Sequence, residues 1–321
     1  MEIRDVLPRD AIPSVDDPSF RDTYEADPTD EVIVLETDAA TRAYPVRYLH
    51  FHEIVNDVVP TASGERPVAV TWCPLCGSAV VYDRTVDGRV LEFGVSGKLA
   101  DDDLVMYDRE TDSEWKQSLG VAIAGPLEGT ELTVLPAGMM TWESYVETHP
   151  EGTVLAPPGG DSEAASEDDD PAPVDYDEEP YRRYFEMDGF GLDAHRAGES
   201  RSWDREDLDP KDVVLGLEHG ESAIGVPLPV VERHGGVLQL AIDGLDAIVF
   251  ATPEGIHAFE DPGYAFEPAE EPGRYRADGT TWTGWTGRST DGRTLERLPA
   301  RRVFAFTWQD DHGPDAFLVD P

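Results

Sequence analysis

Lysine and cysteine are scarce in this chain of 321 residues: the lysines are Lys98, Lys116 and Lys211, and the cysteines are Cys73 and Cys76. Positive charge is scarce too, with 25 Lys plus Arg against 67 Asp plus Glu and a formal net charge of -42. A phosphate backbone is held by a basic face, so nucleic acid is excluded as a direct partner. No apolar run approaches the roughly 18 residues of a membrane-spanning helix, so no membrane association is expected. The first eight residues, MEIRDVLP, lack the apolar stretch of a signal peptide, and the expected compartment is the cytoplasm. Phosphate-loop, dinucleotide-binding and nucleophile-elbow glycine frames are also missing. Ser96-Gly97-Lys98 alone implies no nucleotide site.

Apolar material is nonetheless ample. Hydrophobic residues make up 40%, with 7 Trp, 11 Tyr and 11 Phe, which is too rich for a disordered acidic chain. Self-repulsion of so acidic a surface opposes compaction. Molar salt shortens the Debye length to about 3 Å and removes most of that penalty. The charge is spread along the chain, so it reads as adaptation to a salty, halophilic setting before it reads as a partner signal.

Length predicts about two domains. Residues 157–180 (PPGGDSEAASEDDDPAPVDYDEEP) are dense in acid, Pro and Gly, which predicts a solvated linker extended by repulsion. It separates an N-terminal unit, 1–156, from a C-terminal unit, 181–321. The two units read as a diverged tandem repeat. Val32–Glu36 aligns with Val214–Glu218, Ser78–Tyr82 with Asp246–Phe250, and Trp115, Gly120, Leu132 and Leu135 with Trp282, Gly287, Leu295 and Leu298. Thr141-Trp142 and His149 then align with Thr307-Trp308 and His312. Short β-branched and aromatic runs punctuated by Asp-Gly turns predict antiparallel strands. Helices are expected only at 47–59 and 141–149. The expected fold class is mostly β (α+β): two related antiparallel units with a few short helices.

Thr71-Trp72-Cys73-Pro74-Leu75-Cys76-Gly77 carries the strongest chemical signal. A thioredoxin-like Cys-x-x-Cys opens a helix whose N-terminus lowers the first thiol's pKa. Here Gly77 and a β-type run follow directly. Cys-Pro-x-Cys-Gly between strands instead has the form of a metal knuckle, in which glycine lets the turn close. A knuckle supplies two ligands of the four that zinc or iron commonly takes. On a helix over 47–59, His52 falls on the apolar side and His50 on the polar side with Asp57, which makes His52 the preferred third ligand. His149 is a further possibility, and Met106 or Met139-Met140 would suit copper(I). The second unit lacks the thiols, since Cys73 and Cys76 align with Ala241 and Gly244; there His52 aligns with His234, which also fits a structural histidine. The cluster from Asp108 to Trp115 reads as a charged hairpin loop. The acid-and-His clusters at 257–261 and 308–312 read as products of composition.

HEIVND (52–57), VTWCPLCGSAVVYDR (70–84), FGVSGKL (93–99) and LVMYDRETDSEW (104–115) together resemble domain-of-unknown-function family 3179. That likeness covers about residues 30–155, while the second half looks like the C-terminal part of longer haloarchaeal members. It implies no activity. The residues themselves point to a protein that binds zinc, iron or copper through Cys73, Cys76 and His52. Two alternatives stay open: a thiol-disulfide or sulfur-transfer enzyme with Cys73 as nucleophile, and a non-catalytic module for a protein or small-molecule partner.

Overall fold

A computed structural model describes residues 1–166 and 170–319. The fold is mostly β, with antiparallel sheets and six short α-helices among the described residues. The first half opens with a hairpin, Glu31–Glu36 and Thr41–Pro45, that runs into the helix Val46–His52. Three meandering strands follow: Ile54–Thr61, Gly64–Cys73 and Ser78–Asp83. A second meander leads from Phe93–Ala100 through Asp103–Asp108 and Glu114–Lys116 to Val121–Ala124. Gly138–Thr141 then returns to flank Glu31–Glu36 and enters the helix Trp142–Thr148, whose first turn is capped by the Thr141 hydroxyl.

The second half runs through the same order of elements. Val213–His219 and Ser222–Pro227 form the hairpin, Leu228–Arg233 the helix, and Val237–Ile242, Leu245–Thr252 and Gly255–Glu260 the meander. Arg301–Phe304 returns to flank Val213–His219 and enters the helix Ala305–His312. One packing detail recurs closely. A Cβ on Gly120 would lie 2.5 Å from the Tyr82 ring, and one on Gly287 would lie 2.6 Å from the Phe259 ring. Tyr82 lies on the third strand of its meander, as Phe259 does, whereas Phe250 lies on the second, so the aligned segments Ser78–Tyr82 and Asp246–Phe250 fall on different strands of their meanders. Adjacent strands of a meander share the same period and apolar content, and an ungapped comparison cannot tell them apart. By strand order the counterpart of the Cys73–Ser78 connection is Thr252–Gly255, not Ala241–Gly244. Thr307 likewise lies inside its helix, and Phe304 holds the N-cap place that Thr141 holds in the first half.

The halves share a sheet. Arg301–Phe304 pairs with Ser78–Asp83 through Arg302 and Ala79, so the strand path runs from Ser222–Pro227 across to Ile54–Thr61. The contacts between halves are reciprocal. The Phe304 N–H donates to the Cys76 carbonyl at 2.8 Å, while the Thr141 N–H and hydroxyl each donate to a Glu254 carboxylate oxygen at 2.8 Å. Each half's turn thus caps the other half's last strand.

Two local expectations change. The helix expected over 47–59 stops at His52, because Glu53 adopts φ 57° and the β-branched run Ile54–Val59 pairs in register with Arg66–Thr71. The acidic stretch 157–180 is not a free tether. Ser162 is fully buried, and the Glu163 N–H donates to Ala11. Tyr176 packs on Tyr48 and Phe51 and accepts from the Gly159 N–H. Aromatic burial and backbone hydrogen bonds hold these points against charge repulsion; residues 167–169 lie outside the described part. No helix among the described residues is long and apolar enough to cross a membrane.

Candidate metal centre

Gly64–Cys73 and Ser78–Asp83 are paired to their ends, with Cys73 opposite Ser78, so Pro74–Gly77 closes a tight connection. Gly77 takes φ 53°, and a Cβ there would lie 2.6 Å from the Phe304 ring, so both backbone and space demand glycine. No helix follows Cys76; a strand does, as the knuckle form predicts and a thioredoxin-like site does not. The Tyr184 hydroxyl, from the segment between the halves, donates to the Leu75 carbonyl at 2.7 Å and ties a roof onto the turn.

A second hairpin brings the third group. Asp101 and Asp102, at φ 52° and 67°, form the turn between Phe93–Ala100 and Asp103–Asp108, which delivers Asp103 to the sulfurs. One ligand atom each from Cys73, Cys76 and Asp103 lies within 4.8 Å of the others, and all three residues are buried. The Cys76 thiol donates to the Asp102 carbonyl at 3.3 Å. Asp103 accepts the Ser118 N–H at 2.8 Å through Oδ2, while its buried Oδ1 has no hydrogen-bond partner. A buried carboxylate oxygen left unpaired is costly, which makes it the atom best placed to take a cation.

Burial dominates the electrostatics. It pushes Asp103 up to about 6, with Lys116 pulling the other way. Burial also raises the Cys73 thiol, and it raises Cys76 further, with Cys73 and Asp103 adding to the effect. Free thiols so placed are poor nucleophiles at neutral pH. Glu53, which caps the helix ahead of the first strand, is pushed up to about 8 by burial and by its neighbours Glu163 and Asp103. Behind the site, Lys116 Nζ lies 2.6 Å from Asp311 of the second half, with both side chains at most 3% exposed. Burial works to lower Lys116, but the carboxylates of Asp311 and Asp103 outweigh it and hold the ammonium charged.

His52 is not part of the cluster. Its Nδ1 faces the Pro13 carbonyl at 3.0 Å and its Nε2 the Tyr176 hydroxyl at 2.7 Å, so both ring nitrogens are engaged elsewhere. The helix ends at His52 itself, not at residue 59, and that ring turns toward Tyr176 of the acidic segment. His50 packs near Trp72, with its buried Nε2 unpaired. His149 stacks on Tyr145 and faces Glu36 at 3.3 Å. Met139 and Met140 sit in the other core cluster, whereas Met106 shares the cysteines' core. In the charged loop, Asp108 accepts from Thr111 and the Trp115 indole and so organises a hairpin. Among the described residues, no other group of three or more His, Cys, Asp or Glu meets the same spacing, the clusters at 257–261 and 308–312 included.

Asp103, Glu53 and Lys116 escaped sequence reasoning. Asp103 stands in an Asp-Asp-Asp run within an acid-rich chain, and nothing local marks the third acid as buried. The one usable sign for Lys116 was its rarity.

No curated protein and no solved structure matches the chain. The sequence model of the family described as "Protein of unknown function (DUF3179)" matches residues 9–315. That span exceeds the 30–155 seen in the motifs and takes in both halves. The chain, with its buried pair of thiols and their aspartate, belongs to the DUF3179 family.

Proposed function

We propose that this protein binds one transition-metal ion through Cys73, Cys76 and Asp103. The observation that carries the reading is the convergence, from two hairpins, of two buried sulfurs and a carboxylate oxygen of Asp103, a residue whose buried Oδ1 has no hydrogen-bond partner. Two thiolates and a carboxylate suit zinc or iron(II) better than copper(I), which favours softer donors. Binding displaces the thiol protons, so the ion supplies what burial withholds, a stable thiolate pair. The thiol-disulfide alternative has less support, because burial raises both thiols.

Metal analysis of protein purified without chelator tests the reading. The expected content is one zinc or iron per chain, lost in Cys73→Ser and sharply reduced in Asp103→Asn. His52→Gln retains it. Content well below one per chain in the wild type sinks the proposal.

We also infer that the halves descend from one duplicated unit, supported by their shared element order and the matched Gly120–Tyr82 and Gly287–Phe259 contacts. The net charge of -42 supports a halophilic, salt-filled cytoplasm as the working environment, and the two free cysteines support a reducing one.

A further inference from the structure

We infer that the ion held by Cys73, Cys76 and Asp103 keeps a fourth position open to a small cavity beside Cys73, occupied at rest by exchangeable water. This deepens the metal reading and rests on it. Closed structural sites take four protein ligands, whereas sites with three keep a position for solvent or substrate. Here the cluster stops at three: no fourth His, Cys, Asp or Glu among the described residues joins the spacing.

The space for a fourth ligand is present. A cavity of about 110 Å³ is lined by Cys73 and by Glu53, with apolar walls from Leu7, Ile12, Val95, Leu104 and Leu192. That is room for a few waters or one molecule of a few heavy atoms. Cys73 is the one cluster residue that lines this cavity, so the cavity lies against the cluster on its Cys73 side. Glu53 lies outside the ligand spacing, yet it lines the same cavity and is the residue we assign as hydrogen-bonding partner for a coordinated water. Leu192 belongs to the short helix Gly191–His195, which follows the Tyr184 anchor, so the roof of the cavity is built by the segment between the halves. Lys98, Glu163, His195 and Arg196 also line the cavity, so its small volume limits the ligand to a few atoms while the basic groups favour a small anion. The site is thereby built for a Lewis-acid role toward a small ligand and not only for holding the fold.

Cobalt(II) and azide test this on the full chain. Cobalt added to metal-free protein is expected to give sulfur-to-metal absorption at one ion per chain. Azide is then expected to shift the d–d bands. Leu192→Phe and Leu7→Phe, which fill the cavity from two walls, should abolish the azide shift and leave the sulfur bands in place. Sulfur bands with no azide response in the wild type overturn the open position while leaving the metal site standing. An azide response that survives both fillings overturns the cavity as its route. Absence of sulfur bands overturns the metal reading and this inference with it.

Discussion

The buried pair Lys116–Asp311 lies directly behind the cluster and joins the two halves, so its loss should be expensive. Nζ and Oδ1 are 2.6 Å apart, with the side chains 2% and 3% exposed. Removing one partner of a buried pair costs about 3–5 kcal/mol, because the survivor keeps its desolvation penalty. Asp311→Ala leaves Lys116 with Asp101 at 3.4 Å and should fall near the lower end, about 3 kcal/mol. Lys116→Met strands Asp311 and Asp103 together and should reach about 5 kcal/mol. The double variant Lys116→Met/Asp311→Leu strands neither and should recover most of the loss, since apolar replacements of whole pairs are often neutral. Urea unfolding at constant molar potassium chloride measures all three. Single variants within about 1 kcal/mol of wild type, or a double variant as poor as the two singles summed, would refute the reasoning.

Glu53 gives a pH signature in the metal-free protein. Its carboxyl is raised to about 8 in the fold, so the fold favours the protonated form and stability falls as pH rises from the ordinary value of 4.5 toward 8. The loss by pH 7 is about 3 kcal/mol relative to Glu53→Gln; parallel pH profiles for the two proteins would show that Glu53 does not titrate this way. Gly77→Ala must hold φ 53° and push a methyl into the Phe304 ring, and urea unfolding should register a loss of about 2 kcal/mol or more. Thermal unfolding should shift upward as potassium chloride rises from about 0.1 M to several molar, reflecting screening of the acidic surface. A flat or falling midpoint would contradict the salt-adapted reading.

Periodicity and turn chemistry made much of the architecture legible. Alternating β-branched runs and Asp-Gly pairs marked the strands, and the helix expected over 141–149 lies at Trp142–Thr148. The cysteine turn was legible because five consecutive residues, Cys73 to Gly77, carry its geometry. The rest of the site is non-local. Asp103 arrives from another hairpin, Glu53 from a helix end, and Asp311 from the other half of the chain, with Lys116 between them. His52 misled because amphipathic periodicity was extended through Glu53, where a single residue of positive φ ends the helix. The alignment of Ser78–Tyr82 with Asp246–Phe250 joined a third meander strand to a second for a similar reason, since neighbouring strands carry interchangeable patterns.

X-ray absorption at the metal edge of the purified protein tests the central claim most directly. The account predicts two sulfur scatterers at about 2.3 Å and oxygen scatterers at about 2.0–2.2 Å. A shell of nitrogen and oxygen alone, or histidine scattering in place of sulfur, would contradict it.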